Sequence, residues 1–417
     1  MQSVRRLISF LVLSILALLL FNSCHREEEL KGRLETKSGQ TILTVWGSHY
    51  EMGYAQGYLL GKNFLEMFDY YLLDHFGGGE NYEVNVRPYV TDHCVDPNQT
   101  PYGEELAGLL DGWRQVCADS GWSTSSEFLG REVDINDLYT AQFVPDFIYG
   151  FGVSSLYCSS LSAWGDATSS DPTVNGGLIY CRILDWTTDE LLIDNTVIVV
   201  YQPEDDSEIG WVSFAYPFFI GCLSGISQDG VCASYNLGNH NEPADESGKF
   251  WPILWSIRQG IENADYNGGG THDVKDIYAA IADHTRTGTH IIHCAGPALG
   301  SNAVLPCVVE ANNAGIAIRY PSDEPDIAPD HLIATNHHCK LYEPAYCYRY
   351  SRLLNALIEN PAVTTQRAWQ LEDSVSTFIS AMKILIRTDN RDFWFAYGED
   401  LWDPLEDAAY YKLDELF

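Results

Sequence analysis

Positive charge is scarce in this chain of 417 residues: 24 Lys and Arg stand against 58 Asp and Glu, and the formal net charge is −34. Nucleic-acid affinity depends on Lys and Arg side chains that neutralise phosphates, so DNA and RNA are excluded as partners. No repeat of 20–50 residues and no low-complexity tract is present. With 46% hydrophobic and 13% aromatic residues, the chain has enough apolar surface for a large folded core.

Several common catalytic motifs are also missing. There is no G-x-S-x-G elbow, Walker loop, G-x-G-x-x-G after a strand, H-E-x-x-H or C-x-x-C. Histidine and cysteine cluster twice, but in β-like stretches their spacing places the side chains on opposite faces. The two clusters are His290, His293 and Cys294, and His337, His338 and Cys339. We therefore expect no metal site and no cofactor.

The N-terminus has the pattern of an export signal. Arg5 and Arg6 precede an apolar run at 7–21, and small residues lead to Cys24. The run is too short to favour a permanent membrane span. Cys24 after Ser23 resembles the lipid-attachment site of bacterial lipoproteins. We expect residues 1–23 to be removed and the protein to be held at the membrane of the cell envelope through a lipid on Cys24, with plain secretion as the alternative.

The rest of the chain changes character near residue 155. Before it, apolar residues recur every three to four positions, which predicts helices. After it, short β-rich runs between turns predict strands, interleaved with pairs of helices. We expect a mainly helical segment at 24–157 and an α+β body at 158–417. The predicted helices are 50–76, 102–119, 134–149, 251–263, 273–284, 346–359 and 365–385, and the predicted strands are 178–184, 196–202, 209–216, 225–236, 303–310, 314–320 and 393–398.

Cys158 lies where this change occurs, ahead of a strand that carries Arg182 and Asp185. A thiol is nucleophilic as thiolate and needs a base or a cation nearby. If the chain were cut before Cys158, the new α-amino group, with a reference pKa of about 7.7–8.0, would lie within reach of its own thiol. Arg182 would then hold the thiolate, while Asp185 would accept from the ammonium or orient Arg182. The residues alone favour a structural Arg–Asp pair and a buried cysteine.

Residues 157–186 resemble the nucleophile region of the N-terminal-nucleophile (Ntn) hydrolases. They are similar in particular to the acyl-coenzyme A:isopenicillin N acyltransferase-like family, which is related to the choloylglycine and linear-amide hydrolases. In these proteins a Cys begins the mature catalytic chain, and Arg-x-x-Asp lies on the second strand of the following hairpin. Arg182 and Asp185 match that pattern, and Tyr157 stands where the acyltransferases usually have Gly.

Four further stretches agree with the family in the same order. They are GSHYEMGYAQGYLLG (47–61, through Gly47, Glu51, Gly53 and Gly57), ISQDGVCASYNLG (226–238), IATNHH (333–338) and RYSRLLNAL (349–357). The resemblance implies that Asn236 helps to form an oxyanion hole. It also implies that Thr335, Asn336 and His337 form a Thr-Asn-His element and that Arg349 begins an arginine-rich helix. His337 is equally explained by a structural role.

The resemblance implies a four-layer αββα sandwich and a self-processing enzyme. Cys158 would cut the chain after Tyr157 and then form an acyl-enzyme with a linear amide, with Asn236 and Asn336 as oxyanion donors. The partner is then a small-molecule or peptidyl acyl amide, and water or an amine resolves the intermediate. Trp164, Trp186, Phe214, Tyr216, Phe218 and Phe219 would line an acyl pocket or form sheet core.

Three alternatives stay open at this stage. A phospholipase-B-like member of the same superfamily would cleave lipid esters. A lipoprotein binding module of the same fold would have an unreactive Cys158 and an uncut chain. A cysteine peptidase that uses one of the 12 His as its base would be active without cleavage before Cys158.

Overall fold

The computed structural model describes residues 30–147, 157–240, 248–300, 303, 305–324 and 326–417. Residue contacts divide the chain after Lys31, and Gly32–Phe417 form one compact unit. The predicted signal at 1–23 and Cys24 lie outside the described residues, as does the end of the helix predicted at 134–149. Within the described ranges, no helix combines the length and the apolar character needed to cross a bilayer.

Two large sheets form the centre of the unit. One has nine strands in the order β1-β2-β7-β8-β9-β10-β11-β12-β13, and the other has six in the order β14-β5-β6-β15-β16-β17. Neighbouring strands are antiparallel except β2 and β7, which are parallel. A small two-stranded sheet joins β3 and β4. The strands are β1 Gly32–Lys37, β2 Gln40–Gly47, β3 Ser125–Ser126, β4 Arg131–Glu132, β5 Tyr157–Ala163, β6 Ile179–Asp185, β7 Val197–Pro203, β8 Trp211–Ala215, β9 Ser224–Ser227, β10 Cys232–Leu237, β11 Thr289–Ala295, β12 Cys307–Asn312, β13 Gly315–Arg319, β14 His331–Ala334, β15 Ser380–Arg387, β16 Asp392–Tyr397 and β17 Ala409–Lys412.

Helices cover the outer faces of both sheets. Helices α1, α5 and α6 pack on the nine-stranded sheet, and α3 packs on α1, while α7 and α8 pack on the six-stranded sheet. The helices of seven or more residues are α1 His49–Leu60, α2 Arg87–His93, α3 Pro101–Ser120, α4 Ile135–Ala141, α5 Ile253–Glu262, α6 Val274–Asp283, α7 Tyr348–Glu359 and α8 Thr365–Asp373. Between α1 and α2, short helical turns include π-type segments at Met67–Leu72 and Tyr82–Val86.

The inner faces of the two sheets pack against each other. Phe214 of β8 contacts Phe393 of β16, with ring centroids 5.0 Å apart. Tyr180 of β6 stacks edge-on against His293 of β11 at 5.0 Å. Helix, sheet, sheet and helix therefore form four layers, and the predicted α+β αββα sandwich is confirmed.

The glycines at 53 and 57 allow α1 and α3 to pack unusually closely. A Cβ added at Gly53 or Gly57 would come 2.0 Å from the carbonyl oxygen of Glu105 or Leu109, far inside van der Waals contact. At the start of α1, Gly47 has a φ of +102°, which favours glycine. Ser48 and Glu51 form a capping box there. The glycine and glutamate motif at 47–61 is thus explained by helix entry and helix packing.

The segment before residue 157 is mainly helical, and it also contributes β1 and β2 to the nine-stranded sheet. One secondary-structure prediction was wrong. The helix predicted at 365–385 ends at Asp373, and β15 follows. β15 is buried along its whole length, and apolar residues of a fully buried strand and of a buried helix look alike by periodicity.

Candidate active site

Strand pairing between β5 and β6 brings Cys158 next to Arg182. Cys158 lies opposite Leu184 in the register, and Ser160 lies opposite Arg182. Side chains alternate along a strand, so Cys158 and Ser160 face the other sheet while Ser159 faces helix α8. Ser159 Oγ accordingly donates to Glu372 Oε2 of α8 at 2.5 Å. The thiol is therefore buried at the interface of the two sheets.

Arg182 crosses from the six-stranded sheet to the nine-stranded one. Its Nη1 donates to Ser224 Oγ at 2.7 Å, and its Nη2 donates to the Tyr235 carbonyl oxygen at 2.8 Å. Both of these partners are uncharged, and the side chain is fully buried. The Arg182 charge is therefore available to the Cys158 thiol.

Asp185 pairs with Arg349 and not with Arg182. Arg349 Nη1 donates to Asp185 Oδ2 at 3.0 Å, and Ser380 Oγ donates to the other carboxylate oxygen at 2.5 Å. This corrects the expected option in which Asp185 orients Arg182. Asp185 pairs in this way because it is the last residue of β6, where its side chain meets the start of α7 and of β15.

Asn336 connects this ion pair to Cys158. Its Oδ1 accepts from the backbone N–H of Cys158 at 2.7 Å and also accepts from Arg349 Nη2. Its Nδ2 donates to the Leu237 carbonyl oxygen at 2.8 Å. Asn336 thus presents an acceptor to the Cys158 nitrogen, while one of its two amide N–H groups donates to Leu237.

Asn236 on β10 is held much more loosely. Its Nδ2 lies 3.5 Å from Ser160 Oγ and 3.5 Å from the Thr335 carbonyl oxygen, at the long limit of a hydrogen bond. Its Oδ1 is buried and unpartnered among the described residues. Asn236 therefore retains donor capacity beside β5, the strand that carries Cys158.

Two more buried polar atoms near Cys158 lack a partner in the part of the chain that the structure describes. They are Arg182 Nε and the Tyr216 hydroxyl. Buried polar groups in native proteins are nearly always hydrogen-bonded. Three such atoms around one thiol, counted with Asn236 Oδ1, are what a site for a polar ligand requires.

Burial dominates the electrostatics of the thiol. It raises the pKa of Cys158, Arg182 and Arg349 lower that pKa, and Asp185 raises it. Burial likewise raises the pKa of Asp185, against the hydrogen bond from Ser380 and the charges of Arg349 and Arg182. Because the net shift of Cys158 is upward, the thiol needs a base to become a thiolate.

The aromatic residues that follow Cys158 divide into two groups. Phe214 belongs to the core between the sheets, where it packs on Phe393 and Phe395. Trp186 instead contacts Tyr216 at 5.7 Å and Phe219 at 6.0 Å. Tyr71, from the segment before Cys158, contacts the same indole at 6.5 Å. Phe214 is therefore sheet core, and an acyl pocket at Trp186, Tyr216 and Phe219 stays a prediction.

The histidines of the two His/Cys clusters point to separate places. His290 contacts Thr287 and Tyr235, and His293 contacts Ser160 and Ser162. Burial lowers the pKa of His290 and of His293 to about 3, so both are neutral. His337 contacts Thr335 and Cys339, whereas His338 contacts Thr289 on the other sheet.

A different group has the spacing to bind a metal ion. His49, Glu208 and Glu262 have ligand atoms within 4.8 Å of one another. Burial alone would lower the pKa of His49, but hydrogen bonds to Glu105 and Glu208 outweigh it and raise the pKa to about 10. Arg258 also donates to Glu262 Oε2 at 2.7 Å. Protonated His49 and Arg258 therefore already neutralise these carboxylates.

Sequence reasoning missed Ser224, Ser380 and Glu372. Ser224 and Ser380 hold Arg182 and Asp185, and Glu372 lies beneath Ser159. These residues come from three distant parts of the chain, and serine and glutamate are too common to signal a role. A buried position for Glu372 on the inner face of a predicted helix is the one signal that was available.

No family model matches the chain. Two curated relatives from Dictyostelium discoideum do. "Protein dcd1B" is 26% identical over 230 residues, which cover 52% of this chain and 42% of the relative. "Protein dcd1A" is 25% identical over 239 residues, which cover 54% of this chain and 51% of the relative. The chain thus spans about half the length of the curated relatives it matches.

Solved structures with a similar arrangement include an amidase, an acylase and a hydrolase. A Caenorhabditis elegans ortholog of N-acylethanolamine-hydrolyzing acid amidase has a TM-score of 0.40 and 16% identity over 56% of this chain and 93% of that chain. Penicillin V acylase from Agrobacterium tumefaciens has a TM-score of 0.38 and 12% identity, and the match covers 58% of this chain and 83% of that chain. A mutant of conjugated bile acid hydrolase from Clostridium perfringens has a TM-score of 0.38 and 8% identity, and the match covers 61% of this chain and 93% of that chain. Because all three TM-scores are 0.40 or below, these structures carry no argument for this chain, and its fold and function are inferred from its own residues.

Proposed function

We propose that this chain is an exported, self-processing cysteine hydrolase or acyltransferase that acts on linear amides through a Cys158 acyl-enzyme. The observation that carries the proposal is the contact between the Cys158 nitrogen and Asn336 Oδ1, at 2.7 Å. Arg349 donates to the same oxygen and to Asp185. A backbone nitrogen held by a side chain and an ion pair is an arrangement that a catalytic α-amino group would use.

The first step of the proposal is cleavage of the chain. The Cys158 thiol attacks the carbonyl carbon of Tyr157, the peptide nitrogen leaves as the new α-amino group, and water hydrolyses the resulting thioester. The products are chains 24–157 and 158–417. The new amino group, with a reference pKa of about 7.7–8.0, then accepts the proton of its own thiol, and Asn336 holds it in place.

The second step is acyl transfer from the substrate. The thiolate, stabilised by Arg182, attacks the amide carbonyl, and Asn236 Nδ2 donates to the oxyanion. Its long contacts of 3.5 Å support this role, because an oxyanion donor must not be fully used in the resting protein. Asn336 is here a positioning residue. The α-ammonium protonates the departing amine, and water or a second amine releases the acyl group.

The substrate class follows from the surroundings of the thiol. Tyr216 interacts with the thiol and packs with Trp186, which also contacts Phe219, and such an apolar group suits an acyl chain or an aromatic acyl group. The net charge of −34 disfavours a strongly anionic substrate outside a local basic site. A neutral acyl or peptidyl amide fits both features.

The test is intact mass and N-terminal sequencing of the purified protein and its Cys158→Ala variant. We expect two chains from the wild type, one ending at Tyr157 and one starting at Cys158, and a single chain from the variant. The matched control is Cys181→Ala, a buried cysteine on β6, which should still be cut. A wild type that stays uncut removes the α-amino base and with it this mechanism.

Cut protein should then be offered N-acyl amides and phospholipid esters in parallel. Faster turnover of the amides supports the proposal. Faster turnover of the lipid esters would assign the phospholipase-B-like alternative.

Localisation belongs to the same proposal and is supported by the sequence at 1–24 alone. A lipid on Cys24 would hold the protein at the cell envelope. Metabolic labelling with a radioactive fatty acid should mark the wild type and not Cys24→Ser. Equal labelling of both, or of neither, would refute lipid attachment at Cys24.

A further inference from the structure

The cysteines other than Cys158 differ sharply in exposure. The described residues contain ten cysteines, Cys158 included; all ten are free thiols, and eight of them are buried. The two that are partly exposed are Cys339 and Cys347. Both lie near one imidazole ring, that of His337, so the accessible thiols of the described chain are concentrated at one place.

A continuous chain of contacts joins these two thiols. Cys339 Sγ lies 3.3 Å from His337 Nε2, and His337 Nδ1 lies 2.8 Å from Thr335 Oγ1. The Thr335 hydroxyl donates to Cys347 Sγ at 3.4 Å. Because the Thr335 hydroxyl donates its hydrogen to Cys347, its oxygen can only accept from His337. The proton of His337 is therefore on Nδ1, and Nε2 is left to accept from the Cys339 thiol. Each donor then points from Cys339 towards Cys347.

Cys347 is also the N-cap of helix α7, which has 12 residues. Its carbonyl accepts from Ser351 N–H at 3.0 Å, and the backbone of Tyr350 in the first turn helps to lower the pKa of its sulfur. The N-terminus of a helix carries partial positive charge, which stabilises a thiolate at this position. The helix and the Thr335 hydroxyl therefore act on the sulfur from two independent sides.

The two thiols consequently differ in acidity. Burial raises the pKa of Cys347, but the contacts with His337, Thr335 and Tyr350 N–H outweigh it and lower the pKa to about 6. Burial raises the pKa of Cys339 to about 11. One sulfur is thus a thiolate at neutral pH, while its neighbour keeps its proton.

We propose that Cys347 and Cys339 form a reversible oxidation site for hydroperoxides, in which Cys347 reacts first and Cys339 resolves the product. The Cys347 thiolate attacks one peroxide oxygen, the O–O bond breaks, and the products are a sulfenic acid and a hydroxide or alkoxide that takes a proton from solvent. The Cys339 thiol then attacks the sulfenic sulfur, and water leaves as the disulfide forms. Two electrons pass from the two thiols to the peroxide.

The connecting chain allows this second step. Residues 340–346 contain no helix or strand, and the two cysteines are eight positions apart, which closes a short loop. The separation of the two sulfur atoms must shorten to about 2.05 Å in the product. The start of α7 is the part of the chain that would have to move.

Such a movement would reach the Cys158 site, and this consequence rests on the proposed function. Arg349 is two residues after Cys347 and holds Asn336 and Asp185. Thr335 precedes Asn336, and its carbonyl accepts from Asn236. Oxidation at Cys347 would therefore displace the groups that hold the Cys158 nitrogen and lower the activity until a thiol reductant restores it.

The first experiment measures alkylation of the full chain by limiting iodoacetamide, located by peptide mass spectrometry. We expect Cys347 to react fastest. Its rate should rise about 1.1-fold between pH 7 and pH 9, against about 25-fold for a thiol with an ordinary pKa near 8.5. Thr335→Val, which removes the hydroxyl donor, should make the rise several-fold larger. A rise near 25-fold at Cys347 in the wild type, or faster labelling of any cysteine other than the proposed nucleophile Cys158, would overturn the proposal.

The second experiment adds hydrogen peroxide and follows mass. The wild type should lose two hydrogens and yield a peptide that links Cys339 to Cys347, reversed by dithiothreitol. Cys339→Ser should instead accumulate a sulfenic acid at Cys347 that dimedone traps. Absence of both products would refute the oxidation site. Because neither readout uses substrate, these results stand or fall apart from the amide chemistry. Peroxide-dependent loss of turnover that Cys347→Ser abolishes would add the link to Cys158.

Discussion

Two regions of this molecule bury an arginine in a polar cluster, and they differ in the partners of that arginine. The first, called the charge cluster here, consists of His49, Glu105, Glu208, Arg258 and Glu262. The second, the thiol centre, consists of Cys158, Arg182, Asp185, Asn336 and Arg349. Both have strongly perturbed pKa values, so perturbation by itself does not distinguish a catalytic site from a structural one.

In the charge cluster, the arginine is matched almost completely. Arg258 makes a two-bond pair with Glu105, with both N–O distances 2.7 Å, and a third bond to Glu262. Tyr102 donates to the other oxygen of Glu262 at 2.5 Å, and its ring lies 4.8 Å from the guanidinium carbon. These residues come from α1, α3 and α5 and the segment before β8, so the cluster joins the helical layer to the sheet.

In the thiol centre, Arg182 has only neutral hydrogen-bond partners, and its Nε is unpartnered among the described residues. The centre also contains the Cys158 nitrogen held by Asn336. A group left partly unsatisfied in a buried position costs stability, and such a cost is typical of functional sites. Because the charge cluster also leaves one atom unpartnered, Glu208 Oε2, the difference between the regions lies in the arginine: Arg258 has carboxylate partners, whereas the charge of Arg182 faces a thiol.

The largest expected effect is on stability, in the charge cluster. Arg258→Met leaves Glu105 and Glu262 buried without their cation, and the free energy of unfolding should fall by about 3–5 kcal/mol. Urea denaturation followed by tryptophan fluorescence would measure it. Gln115→Ala, on the exposed side of α3, is the control and should change stability by less than about 0.5 kcal/mol. A small loss in Arg258→Met would mean that the cluster does not hold the layers together.

The next effect is on catalysis, in the thiol centre. Asn236→Asp keeps the shape of the side chain and removes its N–H donors, so the activation free energy should rise by about 2.7–4 kcal/mol. The rate of acyl-amide turnover, measured as kcat with the processed protein, reports this change. An unchanged kcat with a raised KM would instead make Asn236 a substrate-binding residue.

A smaller effect on stability is expected from Arg182→Met. Its loss removes hydrogen bonds to Ser224 and Tyr235 and leaves no paired carboxylate behind, so unfolding should become easier by about 1–3 kcal/mol, less than for Arg258→Met. Chain cleavage should nevertheless stop. Arg182→Lys, which restores charge without the guanidinium fork, should recover part of the cleavage. Equal stability losses for the two arginines would abolish the contrast between the regions.

The last effect is spread over a range of pH. Burial raises the pKa of Glu372 to about 8, against the hydrogen bond from Ser159. The unfolded chain releases this proton near pH 4.5, so the folded state binds more protons between about 4.5 and 8. Stability should therefore fall across this window, by up to about 1.4 kcal/mol per pH unit. Glu372→Gln should remove that slope in denaturation curves recorded from pH 5 to 8, and a slope that persists would have another origin.

How far the site could be predicted depended on distance along the chain. Cys158, Arg182 and Asp185 lie on adjacent strands, where the register follows from alternation and a short connection. The roles proposed for Asn236, Asn336 and Arg349 came from family resemblance, and the structure brings all three to the same place. Their roles stay predictions, and the structure adds one contact that the resemblance did not imply: Asn336 Oδ1 accepts from the Cys158 nitrogen.

The fold was predictable where periodicity was clear and failed where it was ambiguous. The strands at 196–202 and 209–216 and the helix at 102–119 correspond to β7, β8 and α3. β1 and β2 were missed because they lie next to the charged stretch after Cys24, and β15 was mistaken for helix because every residue in it is buried.

By itself, the sequence determined the local properties of this protein: a strongly acidic chain, a cysteine at the start of a strand, and a glycine face that lets α1 approach α3. Only the tertiary structure decided which charges meet. It paired Asp185 with Arg349, left Arg182 among neutral partners, and set Cys347 at a helix N-terminus beside Thr335 and His337. Pairing of this kind depends on distances between residues far apart in the chain, and electrostatic energies change steeply with those distances and with burial.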